Sequence, residues 1–379
     1  MRFKVQGWCP GALRPMQSSD GLVVRVRPLA GRLTQAQAAG IARAAQAYGN
    51  GLIDLSGRAN AQLRGVSPDT HPALIADLTA LELIDLDIAA ETRRNIIVTP
   101  FADAATYALA ETLQSALADA PELPGKFGFV LDCGAAPVMT DTPADIRIER
   151  APDGRLLLRP AGCDLGAPVA EAASAAIALA EWFVRAGGVV DGRGRMAQLI
   201  ATGARPDGAL TPRCAPAASL PRPEPGLTPH GPLVEVEFGQ MSARTLDALS
   251  VLGAIRVTPW RMVLIEGLTA MPDLPDLPGL ITRPHDPRHR VFACTGAPGC
   301  PQAVGPTRDL ARALAPRLSP GRTLHVSGCA KGCAWPARAD LTLVATPEGF
   351  DLVRGGRASD APALRQLSPT DLNDLPEFS

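Results

Sequence analysis

The stretch GLVVRVRPLAGRLTQAQAAGIARAAQAYGNGLIDLSGRANAQLRGV, residues 21–66, decides the fold because its pattern returns at residues 231–268 as GPLVEVEFGQMSARTLDALSVLGAIRVTPWRMVLIEGL. In the first copy the β-branched and apolar run from Leu22 to Val26 predicts a strand. Thr34 then opens a helix with Gln37 as its capping-box partner, Gly49 stops it, and a second strand follows. The later copy predicts a strand from Leu233 to Phe238, a helix capped near Ser242, a stop at Gly253 and a strand from Met262 to Ile265. Each copy is an α/β half-module, and the repetition predicts a duplicated chain with pseudo-twofold symmetry.

The repetition extends further. RRNIIVTPFADAATYALAETLQSALADAPELPGKFGFVLDCG (93–134) matches RHRVFACTGAPGCPQAVGPTRDLARALAPRLSPGRTLHVSGCAKGC (288–333) in its succession of basic entry, strand, loop, amphipathic helix and strand. Only the second of these holds paired cysteines: Cys294 and Cys300 in CTGAPGC, Cys329 and Cys333 in SGCAKGC, with 28 residues between the pairs. The first has Thr99 to Asp103 in place of the C-x5-C loop, and Cys133 stands alone. Glycines around the paired cysteines let backbone N–H groups approach thiolate sulfur, which points to an iron-sulfur cluster. Structural zinc more often uses tighter C-x2-4-C knuckles, and two disulfides would suit a secreted protein. Cys133, Cys163 and Cys214 read as incidental thiols, and no role is assigned to Cys9.

At 379 residues, 46% hydrophobic and 20% charged, the chain is long enough for several cores. A net charge of −1 gives no field to draw nucleic acid or an anionic membrane, and charges break the Ala-rich runs short of a membrane span. The start MRFKVQGWCPGALRP has no uninterrupted apolar export segment, so a soluble cytoplasmic enzyme is expected. The expected organisation is a first half-module at 1–80, a larger α/β module without the paired cysteines at 81–202, and a Pro/Gly-rich connector at 203–230. A second half-module at 231–284 and a cluster module at 285–379 complete it.

The cysteine pairs, the duplication and the string SGRANAQLRGV resemble the nitrite and sulfite reductase superfamily, whose members hold a 4Fe-4S cluster beside a sirohaem. Within it, GWCPGALRPM, SGCAKGCAWP followed by ADLTLV, and the compact length look most like the precorrin-3B synthases of aerobic cobalamin biosynthesis. The resemblance implies a monooxygenase that hydroxylates precorrin-3A at C20 with dioxygen and closes a γ-lactone; the alternative is a sirohaem-dependent sulfite or nitrite reductase. It implies cluster ligation by Cys294, Cys300, Cys329 and Cys333. It also implies that Arg25, Arg27, Arg58, Asn60, Arg64, Arg94 and Lys126 face the carboxylates of a tetrapyrrole, which arginine forks pair with bidentately.

There are departures from the reductases. Gly128 stands where they commonly carry a second lysine after Lys126, and Cys333 has no sirohaem iron to bridge if the tetrapyrrole is a metal-free substrate. A four-cysteine cluster is an electron carrier, so dioxygen needs another centre or the reduced substrate itself. The resemblance leaves room for a mononuclear non-haem iron, but His71, His230, His285, His289 and His325 form no H-x-D or H-x-E pair, and no iron ligands are assigned. No G-x-G-x-x-G follows a strand, so reducing equivalents are expected from an external NADH-linked reductase or ferredoxin.

Overall fold

A computed structural model describes residues 10–274 and 277–378; Lys4 and Cys9 lie outside them. Strands Gly21–Val26, Leu52–Leu55 and Ala61–Val66 form the first half-module's antiparallel sheet, over which helix Gln35–Tyr48 packs. Thr34 caps that helix with the full capping box: its side chain accepts from Gln37 N–H, and Gln37 returns the bond to the Thr34 N–H. Strands Gly231–Val236, Ile255–Val257 and Met262–Ile265 with helix Ala243–Ser250, capped by Ser242, repeat the arrangement.

The two copies exchange edges. Gln240–Ser242, from the second copy, pairs with Leu52–Leu55, and Arg32–Leu33, from the first, pairs with Ile255–Val257. One hydrophobic core therefore serves both, with Ile41, Leu63, Leu246 and Met262 in it. The equivalence reaches the backbone. Ala30 and Gly31 match Phe238 and Gly239 in left-handed conformation, at φ 51°, 72°, 55° and 71°, and Ala59 matches Arg261, at φ 54° and 63°. The expected strand to Phe238 is thus shorter, ending at Val236, because the chain must turn to deliver its edge strand to the neighbouring sheet.

The larger modules also repeat. In one, strands Ile96–Val98, Phe129–Asp132 and Ile146–Arg150 are parallel, and Leu156–Pro160 and Ala167–Pro168 follow antiparallel. In the other, Val291–Ala293, Leu324–Ser327 and Ala339–Thr346 are parallel, with Gly349–Gly356 and Leu364–Leu367 antiparallel. Each has its own core. The Pro-rich connector contributes a 3-10 turn at Gly208–Leu210, a bridge from Cys214 to Gly166 and an edge strand, Gly226–Thr228, with no long helix or central strand. It is nevertheless tied down, by Leu220 N–H to Pro137 O and Ala217 N–H to Arg150 O. No helix among the described residues is long and apolar enough to cross a membrane.

Candidate functional site

Two neighbouring parallel strands deliver the cysteine loops at their carboxyl ends, where α/β sheets commonly present ligand sites. Cys294 follows Val291–Ala293 and donates its N–H to Val326 O, extending the ladder by one residue. Cys329 lies just past Leu324–Ser327. The loops are stitched together by Val304 N–H to Gly328 O at 2.8 Å and by Gly328 N–H to Cys294 Sγ at 3.0 Å. That N–H to sulfur bond needs the glycine, because a Cβ at Gly328 would sit 2.7 Å from Ala303 Cβ. The seven described cysteines are free thiols.

The described residues contain no group of three or more Cys, His, Asp or Glu arranged around one metal ion. The arrangement suits a larger guest. Cys333 is exposed as a residue, yet enough protein surrounds its sulfur to push the thiol's pKa up; Lys331 pulls it down, and Cys294, Cys329 and Cys300 each push it up, so the four sulfurs share one field. Four thiols, an N–H aimed at sulfur and glycine-lined loops fit an iron-sulfur cluster by donor chemistry. In the first copy the equivalent loops are closed by the chain itself: Asp103 caps a helix, and Asp132 accepts from the N–H groups of Val138 and Met139.

Of the basic residues singled out in the first half, Arg25 and Arg64 stand on strands of the half-module's sheet. Arg25 donates twice to Gln62 Oε1, Arg27 bonds the carbonyls of Glu91 and Pro10, and Arg64 pairs with Asp20 at 2.7 Å. Arg64 also donates to Gly299 O at 2.9 Å, so it reaches across to the C-x5-C loop. Arg94 is paired with Asp85 at 2.6 Å. Arg58 donates to Lys126 O, the Lys126 side chain is exposed, and Asn60 is buried in the same turn. Gly128 has a structural reason: a Cβ there would meet Asn95 Nδ2 at 2.8 Å and Arg58 Nη1 at 3.2 Å, so a lysine at that position would contest the space Arg58 takes.

None of these seven residues lines the large cavity beside Cys333. That cavity, about 800 Å³, is walled by Cys333 and Trp335 from the second cysteine loop, Trp260, Arg261 and Glu235 from the second half-module, and Arg222 from the connector. Trp335 stacks on Phe292 with ring centroids 3.9 Å apart. Glu235 is joined to His289 Nδ1, which gives one of the loop histidines a partner inside the fold. Sequence reading missed Trp260, Arg261 and Arg222. Superposing the two copies residue by residue would have flagged the first two, because Trp260 and Arg261 stand where the first copy has Arg58 and Ala59.

Behind the loop, His325 is wholly buried and neither ring nitrogen has a hydrogen-bond partner. Burial first, and Arg261 second, push its pKa down from 6.5 to about 4. The unfolded chain then binds more protons than the fold between those values, so stability is full above pH 6.5 and falls as pH drops toward 4. The gap corresponds to about 3 kcal/mol. His325→Leu is expected to flatten the difference between denaturant midpoints at pH 4.5 and 7; an unchanged difference would assign the acid sensitivity to other groups.

A family model described as the nitrite/sulfite reductase ferredoxin-like half domain matches residues 14–81. The solved NirA protein of Mycobacterium tuberculosis superposes with a TM-score of 0.62 at 19% identity, over 93% of this chain and 79% of that one. The fold is therefore that of the nitrite and sulfite reductases, mixed α/β and duplicated. A curated relative from Sinorhizobium sp, named precorrin-3B synthase, is 32% identical over 94% of this chain and 84% of its own length. The chain belongs to the precorrin-3B synthase family, a set of enzymes within the oxidoreductase superfamily.

Proposed function

We propose that the protein converts precorrin-3A to precorrin-3B, placing a hydroxyl at C20 and closing a γ-lactone with dioxygen as oxidant. The observation that carries this reading is the cavity of about 800 Å³ beside Cys333, walled by two indoles and two arginines. Indoles offer a flat apolar macrocycle stacking surface, and guanidinium groups suit the carboxylates around its rim.

Held by Cys294, Cys300, Cys329 and Cys333, a 4Fe-4S cluster would supply one-electron transfer to this cavity. The reaction balances when one oxygen atom enters the macrocycle and the other leaves as water, with two electrons from an external donor and two protons. In the first half, Arg25, Arg58, Asn60 and Lys126 are proposed to meet further carboxylates. Arg27, Arg64 and Arg94, held by main-chain carbonyls and by Asp20 and Asp85, would position that wall. Incubation with precorrin-3A, a reductant and ¹⁸O₂ is expected to place one labelled oxygen in the product. Label arriving only from water, product formed without oxygen, or stoichiometric sirohaem with sulfite or nitrite turnover would move the assignment to the reductase branch.

A further inference from the structure

We propose that Arg222 and Arg261 form a paired carboxylate-binding site in the cavity beside Cys333, which fixes two acidic arms of the substrate and so its orientation. The inference rests on the tetrapyrrole reading above for the identity of the ligand, and on the geometry of the two arginines for the site itself.

Both side chains line the cavity from unrelated segments, one from the connector and one from the turn between two strands of the second half-module. Each makes a single hydrogen bond, and each goes to a backbone carbonyl: Arg222 Nη2 to Trp260 O at 3.0 Å, and Arg261 Nη2 to Ala334 O at 3.1 Å. Neither forms an ion pair with a described carboxylate, and Arg222 Nε is a buried donor with no partner. A guanidinium has five N–H donors, so most of this capacity is unspent. By contrast, Arg147 and Arg159 share Glu149, and Arg64 pairs with Asp20.

The carboxylates nearest the pair are already engaged or set at the edge. Glu235, on the same cavity wall, is bound to His289, Asp54 accepts from Gln240 and faces Arg64 and Arg308, and Asp141 is exposed at the rim. Burial comes first among the causes that lower the pKa of both arginines, and the charges of Glu235 and Asp141 on Arg222, and of Asp54 and Glu235 on Arg261, offset it only in part.

Arg261 also occupies a left-handed turn position that both copies share. The residue sits at φ 63°, where its counterpart in the first copy is the small Ala59. Its side chain runs over Gly239, where a Cβ would lie 2.6 Å from Arg261 Cδ. A left-handed arginine laid over a glycine, enclosed and without a counter-ion, is costly for the fold and useful for an anion. Trp260 and Trp335 on the same walls say which anion: one borne on a flat, apolar ring.

The test uses the full-length holoprotein, with uroporphyrin, a macrocycle bearing eight carboxylates, and mellitate, a benzene hexacarboxylate, as probes read by quenching of indole fluorescence. Arg222→Gln and Arg261→Gln are each expected to weaken uroporphyrin binding about ten- to hundredfold, the loss typical of a charge-assisted hydrogen bond. Arg261→Lys, which keeps the charge and loses the fork, should fall between. Thermal unfolding separates this from a structural role: removing an unpaired enclosed cation should leave the melting temperature unchanged or raise it, whereas a drop with unaltered binding would mean that the arginines only hold the carbonyls of Trp260 and Ala334. Uroporphyrin bound equally by wild type and both variants overturns the paired site and leaves the tetrapyrrole reading standing. Arginine-dependent binding of mellitate without uroporphyrin supports the paired site and removes the tetrapyrrole reading. Failure of wild type to bind either probe overturns both.

Discussion

Replacing any one of Cys294, Cys300, Cys329 or Cys333 with alanine is expected to abolish the iron-sulfur cluster and turnover together. The four residues approach from two loops that are bonded to each other, and the Gly328 N–H already points at Cys294 Sγ. Thiolate ligation and N–H to sulfur bonds are what stabilise such clusters, and losing one of four ligands leaves an iron open to solvent. Iron and acid-labile sulfide should drop together, and the low-spin signal of the reduced cluster should vanish from electron paramagnetic spectra. Loss by global unfolding is distinguishable, because the module that carries the four cysteines has a core of its own, with Val291, Leu324, Leu343 and Leu352 in it. The core shared by the half-modules should still melt cooperatively in the variants. Unchanged iron and sulfide in any single variant would remove that cysteine from the ligand set.

The duplication was legible in the chain because capping and turn chemistry are local. Thr34 with Gln37, Ser242, Gly49 and the strand Met262–Ile265 appear where the pattern puts them. What the pattern hides is the exchange of edges, since nothing in QMS or RL says that their partners lie in the other copy. That exchange shortened the strand expected to reach Phe238 and put Phe238 into a left-handed turn. The cysteine loops were legible because spacing and glycines record them directly. The cavity was not. Arg222 sits among prolines that signal only irregular chain, and the unpaired state of Arg261 is a property of its surroundings, which no motif carries. Resemblance brought forward Arg64 and Arg94 as carboxylate binders, and in the fold both hold carboxylates of the chain itself.

Arg64 consequently leads to a prediction in which stability and the cluster fall together. Its side chain is 7% exposed, pairs with Asp20 at 2.7 Å and approaches Asp54 at 3.6 Å. The same guanidinium donates to Ser18 Oγ and to Gly299 O, and Ser18 Oγ donates to Gly299 O as well. One residue of the first half-module thus ties the loop between Cys294 and Cys300 to the sheet of the other copy. Truncating it leaves Asp20 without its cation, Asp54 with Arg308 alone and Gly299 O short of a donor; breaking a fully buried pair from one side typically costs about 3–5 kcal/mol, and the loss here should be smaller because the Asp20 side chain is 22% exposed. Arg64→Ala should therefore unfold at lower denaturant and lose iron faster to a chelator at equal temperature. Arg64→Lys restores the charge without the fork, so it should recover much of the stability while still shedding iron faster than wild type. Faster iron loss in Arg64→Lys at near-normal stability would fit the tether; iron retention equal to wild type in both variants would sink it and leave Arg64 only its structural pairing with Asp20 and Asp54.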